Sequence, residues 1–181
     1  MVAIVVESAF MQGRRPQQED RHVKILDLTK AGKSLKMSIE HWPQPCSLMA
    51  VYDGHRGPVC ADYVAKHLHL KLLKHLSAAV GDDVALCLRG ACEELDKEFL
   101  SRHRSCVDGC CVVLALLTGD LLSVAWLGDS RALLAQRSAE GLTARPLTAD
   151  HRPSQAYEAQ RVQRAGGQVV NFDGARRVPS L

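Results

Sequence analysis

Apolar and polar positions along the chain follow two periods, and the switches between them outline the elements. Val2–Ser8 is rich in Val and Ile and predicts a first strand. The polar segment from Met11 to His22 is too charged for a core, and Val23–Leu28 resumes strand character. Lys30–Pro45 reads as a hairpin loop and its flank, and Leu48–Tyr52 as a buried strand that stops at Asp53-Gly54-His55. Ala61, Val64, Ala65, Leu68, Leu72 and Leu76 then recur at helical spacing, and Val84, Leu88, Ala91, Leu95 and Phe99 form the stripe of a second helix. Asp82 and Asp83 precede that second helix as caps. Beyond a polar loop at Ser101–Asp108, the strands Cys110–Leu117, Leu121–Leu127 and Ala132–Gln136, joined by turns at Thr118-Gly119-Asp120 and Gly128–Arg131, predict an antiparallel meander. A turn at Leu147–Pro153, a helix from Ser154 to about Ala165, and a strand restarting after Gly166-Gly167 complete the pattern.

Composition narrows the class. The 181 residues suffice for one domain with a real core, and 46% hydrophobic with 24% charged residues describes a globular chain rather than a disordered one. A net charge of +3 is too small for a nucleic-acid footprint, and no apolar run reaches membrane-spanning length. Met1–Phe10 lacks a basic start and contains Glu7, so it reads as a strand rather than a signal peptide, and Val2 does not fit N-myristoylation. Seven cysteines without a secretory signal predict reduced thiols in a cytoplasmic or nuclear protein. Cys106, Cys110 and Cys111 lack the paired spacing of a zinc site and read as buried thiols. His67, His69 and His75 lack the i,i+4 spacing of a helical metal site and read as surface histidines.

The richest candidate chemistry is at the strand end. Asp53 offers carboxylate oxygens, Gly54 lets its carbonyl approach a metal, and His55 transfers protons near neutral pH. Asp-Gly is also a common hairpin turn, so the residues alone leave both readings open. Glu19 and Asp20 are adjacent, and in extended backbone they point to opposite faces, so one faces a given metal directly and the other acts through water. That stretch also reads as an ordinary solvated loop. Ala31-Gly32-Lys33-Ser34 fails as a phosphate-binding loop: Asp27 stands where the earlier Gly is needed, and no helix pattern follows.

Taken in order, five blocks carry a resemblance: Met11–Arg15 with Glu19-Asp20, Ala50–His55, Leu127–Arg131, Asp150–Pro153 and Glu158–Gly167. Together they resemble the metal-dependent protein phosphatases of type 2C, the PPM family, across nearly the whole chain. The resemblance implies one α+β domain over residues 1–181, a four-layer α/β/β/α sandwich with two antiparallel sheets. It also implies that C-terminal strands are missing, because a complete domain of the family continues beyond a segment like Arg176–Leu181 and supplies two more metal-binding aspartates. No acid follows Asp173.

The resemblance further implies hydrolysis of phosphoserine and phosphothreonine proteins by a water activated between two Mg²⁺ or Mn²⁺ ions. Asp53 would bridge the ions, with Glu19 and the Gly54 carbonyl on one of them, Asp20 acting through water, and Asp129 serving an optional third ion. Arg15 would grip the phosphoryl group and His55 would protonate the leaving oxygen. Two departures from the family pattern are Gly109-Cys110-Cys111, where small hydroxyl residues are usual, and Arg56, where a small residue is usual. Residues 1–181 alone are expected to bind at most one Mn²⁺ tightly and to show no significant phosphatase activity. The alternative is a catalytically inactive, truncated phosphatase-like module that binds or regulates.

Overall fold

The computed structural model describes residues 4–81, 83–172 and 175–178. The chain divides into two units, Met1–Ala125 and Trp126–Leu181.

The first unit is built on a sheet of β1 (Arg21–Ile25), β2 (Cys46–His55), β3 (Gly109–Thr118) and β4 (Leu121–Leu127), in that order. β1 and β3 both run antiparallel to β2. Period-two alternation sorts the faces: Leu48, Ala50, Tyr52 and Gly54 are buried, whereas Val51, Asp53 and His55 are exposed. Helix α2 (Val59–Ala78) packs its apolar stripe across β1, β2 and β3, and α3 (Val84–Arg102) packs along α2. Leu68, Leu72, Leu73, Leu76, Leu88, Leu95 and Phe99 fill the core with Leu48, Tyr52, Leu114 and Leu116. Each such side chain contributes roughly 1.5–3 kcal/mol of burial. The buried Trp42 closes one end of this core and donates its indole N–H to the Leu76 carbonyl at 2.9 Å.

In the second unit, β5 (Leu133–Ser138) and β6 (Gly141–Pro146) form one hairpin and β7 (Val170–Phe172) and β8 (Ala175–Arg177) another. Helix α4 (Ala156–Arg164) ends in a capped turn, with the Gly167 N–H donating to the Val162 carbonyl at 2.9 Å. Glu158 is buried and chelated by its helical neighbour Arg161 at 2.6 and 2.7 Å.

The α+β class with antiparallel sheets, the two long helices and the Asp83 cap agree with the sequence reading: the Asp83 carboxylate accepts from the Leu86 N–H at 2.9 Å. Asp82, Val2 and Asp173 lie outside the described residues.

Several expectations are corrected. Residues 4–8 form no strand, since a strand needs a partner and no ladder reaches them among the described residues. Strand β1 ends at Ile25, and Leu28–Ser34 is a helix, α1, capped by the Asp27 carboxylate on the Lys30 N–H at 2.8 Å. Seven residues are too few for a readable period. Gly32 turns inward there because any β-carbon would collide with the Met37 carbonyl. Gly32-Lys33-Ser34 therefore lies inside a helix rather than before one, which still excludes a phosphate-binding loop.

The third strand of the expected meander leaves it: β5 pairs with β6. The Ala132 carbonyl accepts from the Leu147 N–H at 2.9 Å, so the residues flanking the hairpin tie it shut. β6 carries Thr143 and Arg145 among wholly exposed positions and shows no apolar alternation to read. Cys106, Cys110 and Cys111 are half-buried rather than buried. His67, His69 and His75 are half-buried as well: His67 packs on the Tyr63 ring, and His75 bonds to Glu94 at 3.1 Å.

Candidate metal centre

The ten residues of β2 end at Asp53, Gly54 and His55. Arg21 pairs with Tyr52, and continuing that register sets Asp20 across from Asp53 and Glu19 across from Gly54. The backbone of Glu19 lies directly on Gly54: a β-carbon there would run into the Glu19 carbonyl and 3.1 Å from its Cβ. Gly54 is thus required by close approach rather than by turn geometry. Asp53 is exposed on the face opposite α2, with Cys111 as its cross-strand partner.

Neighbouring side chains set the segment that carries the acids. Gln17 donates its amide to Glu19 at 3.1 Å, and the Gln18 amide oxygen accepts from the Asp20 N–H at 3.1 Å. Arg21 is the clamp: its Nε donates to Asp62 in the first turn of α2 at 2.6 Å, and its Nη1 to the carbonyls of Gln18 and Asp20 at 2.9 and 2.8 Å. The acids are thereby anchored to β1 and α2. Arg15 lies in an exposed turn preceding them, closed by the Gln12 side-chain amide on the Arg15 carbonyl at 2.8 Å.

His55 ends β2 and packs on Gly109, where a β-carbon would stand 2.5 Å from Nε2. The chain then turns sharply, with Arg56 at φ 65 and Gly57 at φ 138. Asp108 secures this turn from the far side of the α2–α3 hairpin, its carboxylate accepting from the Val59 N–H at 2.8 Å. It does the work of a helix cap from a residue distant in sequence.

Asp129 belongs to the second unit, in the turn after β4. Its carboxylate accepts from Arg152 Nε at 2.9 Å. Around it two sequence blocks interlock. Arg131 makes two bonds of 2.7 Å to Asp150, the Gly128 carbonyl accepts from the His151 N–H at 2.9 Å, and Trp126 donates to the Ala149 carbonyl at 2.7 Å. The Arg131 guanidinium holds the Asp150 carboxyl below its ordinary range. Leu127–Arg131 and Asp150–Pro153, far apart in the chain, are therefore one local structure.

A family model described as protein phosphatase 2C matches residues 5–180. The chain belongs to the protein phosphatase 2C family. It is 38% identical over 165 residues to a protein of Oryza sativa subsp. japonica described as probable protein phosphatase 2C 55, covering 90% of this chain and 39% of that one. It is 33% identical to protein phosphatase 1L of Bos taurus, covering 94% of this chain and 45% of the relative. A solved C. elegans sex determining protein superposes with a TM-score of 0.74 at 32% identity, over 92% of this chain and 39% of that one. The chain thus spans less than half the length of the curated relatives it matches.

The donor set fits a hard divalent cation of the kind phosphatase 2C chemistry calls on. Glu19, Asp20 and Asp53 would offer carboxylate oxygens, and Gly54, with no side chain to intervene, would offer a carbonyl. Sequence reasoning missed Arg21, Asp62, Gly57 and Asp108. Asp62, an acid in the first turn of α2, and Asp108, directly before Gly109, were visible only as generic signals, because their partners lie 41 and 49 residues away.

Proposed function

We propose that this chain carries the metal-binding part of a protein serine/threonine phosphatase that hydrolyses phosphomonoesters of phosphoserine and phosphothreonine proteins. The observation that carries this reading is the seating of Glu19 on Gly54, which aligns Asp20 with Asp53 at one sheet end. Asp53, Glu19 and the Gly54 carbonyl would hold Mg²⁺ or Mn²⁺, Asp20 would act through a bound water, and Asp129 would serve an optional third ion. The bound cations would activate a water nucleophile and neutralise charge on the phosphoryl oxygens. Arg15, on its exposed turn, orients the phosphoryl group through a two-pronged guanidinium. His55 delivers a proton to the departing serine or threonine oxygen. Arg21 and Asp62 hold the acids in place, and Asp108 holds the turn behind His55.

The test is a calorimetric Mn²⁺ titration of the chain beside Asp53→Ala. One tight site in the parent and none in the variant supports the reading; equal binding by both overturns it. Where Mn²⁺-dependent release of phosphate from a phosphoserine peptide is measured, Asp53→Ala abolishes it.

A further inference from the structure

None of the seven cysteines is in a disulfide, yet two of them meet across elements. Cys60 is the second residue of α2 and Cys110 the second residue of β3, and their sulfurs are 3.7 Å apart, sharing an S–H···S hydrogen bond. A disulfide bond is about 2.05 Å long, so closure requires roughly 1.6 Å of sulfur movement, within reach of side-chain torsions and a small adjustment of the helix start.

The surroundings suit such a reaction. Cys60 lies in the first turn of a 20-residue helix, and its hydrogen bond with Cys110 lowers the Cys60 thiol below its ordinary range, against burial and the nearby charge of Asp108. It is only 9% exposed, and Cys110 is half-buried, so the pair is open to a small oxidant and closed to bulky ones. A surface cavity of about 640 Å³, lined by Val59, His103, Cys106 and Asp108 among others, opens beside the helix start.

We propose that Cys60 and Cys110 form a peroxide-responsive dithiol that closes to an intrachain disulfide. The Cys60 thiolate attacks one oxygen of hydrogen peroxide. The O–O bond breaks, the departing hydroxide takes up a proton as water, and Cys60 becomes a sulfenic acid. The Cys110 thiol then attacks the Cys60 sulfur, the S–S bond forms, the S–O bond breaks, and a second water leaves. Two thiols are oxidised and one peroxide is reduced to two waters. Cys110 pairs across from Gly54, and Cys60 follows His55 by one short turn, so the new bond would tie the acid-bearing strand end to α2.

The experiment treats the intact chain with hydrogen peroxide, alkylates the remaining thiols, and maps peptides by mass spectrometry. The expected product is one cross-linked peptide pair, Cys60 with Cys110, lighter by two hydrogens and restored by dithiothreitol. Cys60→Ser and Cys110→Ser each abolish it, whereas Cys106→Ser retains it. The same treatment in concentrated urea scatters the pairing, which separates a native dithiol from chance oxidation. Cross-links between other cysteines in the native chain, or oxidation of Cys60 that stops at the sulfenic or sulfinic stage, would overturn the proposal. The readout is independent of metal binding and of phosphatase activity.

Discussion

Gly57 shows two separable demands on a single residue. Its φ of 138 lies where side chains are strained, and a β-carbon would collide with the Asp108 carboxylate. Gly81 has only the first demand: its φ is 93 and nothing lies within 4 Å of a β-carbon. Gly57→Ala is therefore expected to destabilise the chain by more than Gly81→Ala, which bears only the backbone cost of about 1–3 kcal/mol. Urea denaturation of the two variants measures the difference, and equal midpoints would remove the packing argument. At this scale the sequence was legible where a residue's role is local. Asp53 and Gly54 announced themselves by ending an apolar run. Arg21 with Asp62 and Asp108 with Val59 did not, since each pair is made by the fold and leaves no spacing to read.

The α2–α3 pair is held on its outer side by a charge network. Lys71 reaches Glu94 at 3.0 Å and Glu98 at 2.5 Å, Lys74 reaches Glu94 at 2.9 Å, and Arg102 reaches Glu98 at 3.0 Å. The Tyr63 hydroxyl donates to Glu98 at 2.7 Å. Hydrogen bonds from Lys74 and Lys71 hold the Glu94 carboxyl at about 2, and hydrogen bonds from Lys71 and Tyr63 hold Glu98 at about 2, both against an ordinary value of 4.5. A depressed folded-state value means that the network stabilises the fold fully above pH 4.5 and loses that contribution as pH falls toward 2. The stability gap between the parent and Glu94→Gln should then be constant above about pH 5 and shrink through that window. A gap that stays constant down to pH 2 would show that Glu94 contributes nothing through its charge. The helices themselves were legible because some twenty residues of periodic leucines outweigh any local ambiguity. α1 and β6 were not: seven residues give one repeat and a half, and an exposed hairpin strand has no apolar face to alternate.

At the scale of the whole chain, the order of elements was readable and the choice of partners was not. Leu121–Leu127 and Ala132–Gln136 look alike as successive strands, yet the hydrogen bonds around Thr148 and Leu147 send β5 to β6. Among the described residues, no helix is long and apolar enough to cross a membrane. The Asp108–Val59 bond constrains the order of events in folding. It closes a loop of 49 residues, which costs about 3.5 kcal/mol of chain entropy, whereas a capping bond is worth about 1 kcal/mol. The bond cannot form first. It becomes favourable only once the ten-pair ladder of β2 and β3 has already brought the two ends together. Asp108→Ala should therefore leave the refolding rate unchanged and speed unfolding by roughly five- to thirty-fold for a loss of one to two kcal/mol. Stopped-flow denaturant jumps would show it, and a slowed refolding arm would mean that the clasp at the helix start is part of the folding nucleus rather than a latch that drops last.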